Sequence, residues 1–216
     1  MKRILRGLLG VFLVLAVAGC GGGGSSGPTQ ITTQIFSDPV FDGDIAQDPV
    51  SGAFTVTQGN TQSVFAGVNP VSGVEYRAFL DFPLSGAGGV PANAVIVSAT
   101  LDIFINRIDL SSSTSTIPIN IDLVSFQPPT LVGSDFSLTV QRALLTRAVT
   151  IFPADAGRHV SIDVTTLMKE AQRLGLVDLQ LRILEDLNAA PARIEINDTT
   201  GVNSGTLAPL LEVTYF

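Results

Sequence analysis

The strongest constraint on this chain is a two-residue alternation of apolar and polar side chains that returns along its length. Leu101, Ile103 and Ile105 alternate with Asp102, Phe104 and Asn106, and Ile117, Ile119, Ile121 and Leu123 with Pro118, Asn120 and Asp122. Val160, Ile162 and Val164 flank Ser161 and Asp163; Val177, Leu179, Leu181 and Ile183 flank Asp178, Gln180 and Arg182; Leu211, Val213 and Tyr215 flank Glu212 and Thr214. A period of two places one row of side chains against a core and the other in water. Antiparallel sheets carry that pattern, whereas parallel strands are usually apolar on both faces. The expected fold is all-β: two packed antiparallel sheets, a β-sandwich or jelly roll.

Turn residues divide the runs. Gly59-Asn60 between residues 54–57 and 63–65 predicts a hairpin, and Asn69-Pro70 with Ser72-Gly73 a turn before residues 76–82. One helix breaks the pattern, near residues 164–174. Asp163 can cap its free amides, Val164, Leu167, Met168, Ala171 and Leu174 share a face, and Gly175 ends it. Residues 137–148 suit either helix or strand, and the preferred reading is a loop leading into a strand over 146–152. The polar stretch 111–116 reads as a long loop.

The N-terminus reads as an address. Lys2, Arg3 and Arg6 precede an apolar run over residues 8–17, followed by Ala18, Gly19 and Cys20. That is the pattern of a secretory signal peptide, with a run shorter than the roughly 20 residues of a spanning helix. Val17-Ala18-Gly19-Cys20 resembles a bacterial lipobox, which implies cleavage before Cys20, acylation of its thiol and a lipid-anchored, extracytoplasmic protein. Gly21, where inner-membrane lipoproteins often carry Asp, favours an outer membrane in a cell that has one. Residues 1–19 hold three of the 12 basic residues and no acidic ones, so the mature chain has 9 basic against 19 acidic residues, a charge of −10. Such a balance disfavours nucleic acid and other polyanions as partners. Residues 20–28, with Gly21-Gly22-Gly23-Gly24-Ser25-Ser26-Gly27 at their heart, form a flexible tether. Residues 29–216 form the β-sandwich domain.

Several segments, in order, resemble the DNRLRE-type domain of bacterial surface and secreted proteins. They are Tyr76-Arg77-Ala78-Phe79-Leu80-Asp81-Phe82, then Val90-Pro91-Ala92 leading to Val97-Ser98-Ala99-Thr100-Leu101, then Ile162-Asp163-Val164-Thr165-Thr166-Leu167, and the closing strand 211–215. The resemblance covers residues 60–216. It departs from the family in lacking Trp and in residues 30–58. It implies a jelly roll with a non-catalytic role, and some relatives are classed as carbohydrate-binding modules.

Residues that carry chemistry are sparse. His159 is the one histidine, set at a strand end, and no nucleophile elbow or phosphate loop occurs. The carboxylate pairs Glu75 with Asp81 and Glu185 with Asp186 could serve glycoside hydrolysis only across a shared cleft. Asp38, Asp42, Asp44 and Asp48 form the densest acidic group, a candidate structural calcium site, although each also suits a turn. No other cofactor is expected. Phe104 and Phe126 lie opposite their strands' apolar rows and are candidate ligand platforms, or else a second core layer. Asn197-Asp198-Thr199 matches the glycosylation pattern by accident in such a protein. The resemblance implies, and the missing motifs favour, a non-catalytic body acting in adhesion, envelope structure or binding of a partner protein; the alternative is a carbohydrate-binding module of the same fold.

Overall fold

The computed structural model describes residues 28–216 other than 112–114, 128 and 187. The expected signal peptide, Cys20 and nearly all of the expected tether lie outside the described residues, as does the middle of the polar stretch 111–116. Twelve strands form one curled antiparallel sheet that folds into two layers. In chain order they are β1 (Ile31–Phe36), β2 (Gly43–Gln47), β3 (Phe54–Gln58), β4 (Ser63–Val68), β5 (Glu75–Pro83), β6 (Ile96–Leu110), β7 (Ile117–Val124), β8 (Leu145–Ile151), β9 (Arg158–Asp163), β10 (Asp178–Glu185), β11 (Ala192–Asn197) and β12 (Leu210–Tyr215). Helix α1 (Thr165–Arg173) follows β9, and a short α2 (Ser204–Leu207) precedes β12.

One layer is built on β6, with β9 on one side and β12 and β11 end to end on the other; β1 lies outside β12 and β4 outside β11. The second layer runs β3, β2, β5, β10, β7, β8. Two irregularities let the 15-residue β6 serve two neighbours. Each shifts the alternation by one residue, so Ile96 and Ala99, and later Ile105 and Ile108, all turn inward. The apolar rows read from the sequence meet between the layers: Leu101, Ile103, Ile105 and Val213 share the core with Leu123, Leu181 and Ile183, and Ile194, Leu80 and Phe82 join them. Thus the expected antiparallel sandwich is the fold.

Helix α1 closes one end of the core with Leu167, Met168 and Ala171. Asp163 Oδ1 accepts the Thr165 N–H at 2.9 Å and the Thr165 hydroxyl at 2.6 Å, and Gly175 stops the helix at φ 68°. Leu174 departs from the expected face and is exposed. Strand β8 is found where a strand over 146–152 was expected.

The hairpin expected at Gly59-Asn60 does not form. Both residues adopt left-handed backbone, but the Gly59 N–H reaches the Asp42 carbonyl and the Asn60 N–H that of Pro39. The segment is a crossover: β3 pairs only with β2, and β4 moves to the other layer beside β11. By contrast, the β4–β5 turn is a true hairpin, paired through Gly67 with Tyr76 and Val68 with Glu75 before the strands part. Gly67 is required there: φ is 101°, and a Cβ would lie 2.2 Å from the Ala192 carbonyl oxygen.

Where strands part, backbone donors lose their ladder partners, and buried carboxylates replace them. Asp44 Oδ2 accepts the Phe65 N–H at 3.2 Å, Asp42 Oδ1 the Asp81 N–H at 2.7 Å, and Glu185 Oε2 the Val68 and Ala192 N–H groups at 3.1 and 3.2 Å.

Candidate functional site

The split between β4 and β5 opens a groove of about 370 Å³. Its walls come from β2 and β3 on one side (Asp44, Thr55, Thr57) and from β4 and β5 on the other (Ser63, Phe65, Tyr76). In β4, Val64 and Ala66 point into the core, so the alternation turns Phe65 outward. Its ring centroid lies 5.6 Å from that of Tyr76, with planes at 53°. The Arg193 guanidinium sits over both rings, 4.8 Å from Phe65 and 5.2 Å from Tyr76, and is held by Asp109 at 2.6 Å. Burial pushes the Asp44 carboxyl up to about 6, against the pull of the Phe65 N–H and of Arg193. The groove therefore offers aromatic faces, hydroxyls and carboxylates within one concave surface.

A polar ladder continues from the groove over the outer face of the β6 layer. Ser63 Oγ donates to Glu195 Oε1 at 2.8 Å, Asn106 Nδ2 donates to Ser63 Oγ at 3.0 Å, and Asn197 Nδ2 to Asn106 Oδ1 at 2.9 Å. Farther along the face, Phe104 is half-buried with its ring 5.1 Å from that of His159 in an edge arrangement. Phe104 thus keeps the outward position expected of it. Phe126 lies in a second core layer, the other arrangement expected: it packs edge-on against Phe79 at 6.1 Å, beside Ile45, Leu131 and Phe136 in a second apolar cluster. There it serves packing, because residues 125–144 fold back over the outer face of the second layer.

His159 is partly exposed, and its Nδ1 bonds Asp102. Ser161 Oγ donates to the same carboxylate at 2.9 Å. Asp102 therefore lies between histidine and serine, whereas activation of a serine needs the imidazole between serine and acid. The carboxylate pairs are likewise engaged separately. Glu75 holds Arg77, Asp81 accepts from Gln180 at 2.9 Å, Glu185 caps two backbone donors, and Asp186 accepts from Asn188 in a turn.

The four aspartates of the expected calcium site do not converge. Asp38 Oδ1 accepts the Val40 N–H, and Asp48 Oδ1 those of Val50 and Ser51, each within its own turn. Asp42 and Asp44 are buried at separate backbone caps. Among the described residues, no three Asp, Glu, His or Cys side chains group as metal ligands. Asp42 instead neighbours Asp198, which lies far off in sequence. Burial first, then the charge of Asp198, pushes the Asp42 carboxyl up to about 9. Asp198 is raised by burial as well, against the 2.5 Å bond from the Thr61 hydroxyl.

The groove residues Phe65, Thr55, Thr57 and Ser63, and Arg193 stacked on its rings, were not singled out from the sequence. Phe65 alone had a legible signal, its place out of phase with Val64 and Ala66. No family model and no curated protein matches the chain, so the DNRLRE resemblance rests on the quoted segments.

Proposed function

We propose that this protein is a lipid-anchored, extracytoplasmic binding protein of the cell envelope that acts by contact and not by catalysis, and that its groove takes a neutral glycan. One observation carries the reading: the Phe65 and Tyr76 rings share a concave surface with Asp44, Thr55, Thr57 and Ser63. Sugar rings use apolar faces for stacking and carboxylates and hydroxyls for their own hydroxyls. The mature charge of −10 disfavours acidic polysaccharides and so selects neutral ones. Adhesion to, or organisation of, a polysaccharide-bearing surface is the role that follows.

A protein partner is the second reading, favoured by one observation. Strand β3 pairs on one side only and leaves Phe54 and Val56 exposed along a free edge.

Affinity electrophoresis through gels containing neutral polysaccharides separates the two. The expected result is retardation of the wild type that is lost in Tyr76→Ala, whose far-UV spectrum stays native, and kept in Val56→Ser. Migration unchanged by every neutral polysaccharide, or retardation that survives Tyr76→Ala, would sink the glycan reading.

A further inference from the structure

The end of the domain from which the tether leaves differs from the rest of the surface. The first residue of β1, Ile31, pairs with Tyr215, and the neighbouring Phe216 pairs with Val95. The Thr33 hydroxyl donates to the Gly88 carbonyl at 2.6 Å, which brings the loop after β5 to the same end. Gln172 ties α1 to that loop through the Ala94 carbonyl at 2.8 Å, and Leu84 N–H bonds the Val177 carbonyl at 3.0 Å. Ile31, Val95, Leu174, Val177 and Phe216 thus share one rim, each between 41% and 56% exposed. Between the loop and α1 lies a mainly apolar cavity of about 400 Å³ lined by Leu84, Val90, Pro91, Met168 and Leu176 among others.

Charge is sparse at this end as well. Residues 21–37 and 83–101 contain no Asp, Glu, Lys or Arg, in a chain whose mature charge is −10. On α1, Arg173 and Glu170 pair with each other at 2.7 Å and Lys169 stands on the same helix, while Asp178 stands at the start of β10. Repulsion from an anionic bilayer acts mainly within the Debye length, ~8 Å at physiological salt. An end poor in charge is the one that can come that close.

Tether length selects the occupant of this surface. About nine residues separate Cys20 from the domain, a coil of roughly 17 Å. A domain of this size is roughly 40 Å across. A relaxed tether therefore holds the β1 end, and not the opposite one, at the membrane. We infer that this apolar, charge-poor end docks on the lipid surface, with Val95, Val177 and the loop over residues 85–93 seated among the headgroups. This rests on the lipid-anchor reading of Cys20. Strand β5 runs from the groove at Glu75 and Tyr76 to this end at Pro83, so docking turns the groove away from the membrane.

The test uses the full-length acylated protein in phosphatidylcholine vesicles, with single cysteines introduced by Asn93→Cys, Val95→Cys and, in the β4–β5 turn at the far end of β5, Val71→Cys. Each is labelled with an environment-sensitive dye and challenged with lipid-borne quenchers. Labels at 93 and 95 should be blue-shifted and quenched several-fold more than the label at 71, and adding Val177→Asp should weaken quenching at 93. Protein that floats with vesicles but quenches equally at all three positions overturns the docking surface and leaves the anchor standing. Protein that does not float, or floats equally well as Cys20→Ala, overturns the anchor and the docking with it.

Discussion

The outer faces of the two layers are made from the same alternating pattern, yet one is sealed and the other open. On the β5–β10–β7 face, residues 125–144 return across the sheet. Ile45, Phe79, Leu131 and Phe136 close into a second core, and Arg77 stacks 3.9 Å from the Phe136 ring while bonding that residue's carbonyl. Arg182 is fully buried and bonds Asp122 at 2.7 Å. On the β9–β6–β11 face no comparable segment returns among the described residues, and the polar row of Asp102, Asn106, Glu195 and Asn197 bonds largely within itself. The pattern of a strand says that a face is polar. Whether that face becomes interior or binding surface depends on what the connecting loops do.

The largest expected effect is therefore at Arg182. Arg182→Ala leaves Asp122 buried without its ion pair and removes the donors to the Asp135 and Gln141 carbonyls, at 3.3 and 2.8 Å, that fasten the returning segment. Breaking a buried pair from one side costs about 3–5 kcal/mol. Urea unfolding should show that loss, and proteolysis should begin cutting within 125–144. Replacing both partners, as Arg182→Met with Asp122→Leu, should recover most of the stability, because no lone charge is then left inside. A stability loss in Arg182→Ala below about 1 kcal/mol, the range of exposed pairs, would show that the face is not sealed.

The same contrast explains what could be read in advance. The inward rows were legible because burial between two layers leaves period two in the sequence: Leu101, Ile103 and Ile105, or Leu179, Leu181 and Ile183, lie where their spacing puts them. Arg182, Gln180 and Asp122 stand in the polar row, where the alternation predicts water, yet they are buried. What buries them is a segment without regular periodicity, arriving from elsewhere in the chain. The Gly59-Asn60 turn was misread for a related reason. Its local conformation is that of a hairpin, but the pairing of β4 with β11 is decided 130 residues downstream. The groove was illegible on the same grounds, since Arg193, Phe65 and Tyr76 meet only through the parting of β4 from β5.

Carboxylates sharpen the comparison by pH. At the seam between the layers, burial pushes Glu185 up to about 7, against its backbone bonds from Ala192 and Val68. In the unfolded chain the group titrates near 4.5. The folded state holds the proton more tightly, so this contribution to stability is fully present below about pH 4.5, is lost as pH rises through 7, and does not return. On the open surface Glu170 goes the other way, held below the usual range by Arg173. Melting temperatures measured from pH 4.5 to 8 should fall for the wild type and fall less for Glu185→Gln. Parallel curves for the two proteins would place the pH dependence elsewhere.

The smallest effect is expected on the open face itself, and its smallness is the test. Arg107 is 59% exposed and reaches Asp109 at 3.2 Å and Glu195 at 3.8 Å. By geometry it is as much an ion pair as Arg182. It differs in keeping its water, so each partner stays solvated when the other is removed, and such pairs are worth about 0.2–1 kcal/mol. Arg107→Ala should therefore move the urea midpoint only slightly, and added salt should erase what difference there is, since exposed charges are screened and buried ones are not. A loss comparable to that of Arg182→Ala would mean that the outer ladder of the β6 layer is holding the sheet together. A face with that structural duty would not be free to rearrange its hydrogen bonds around a ligand.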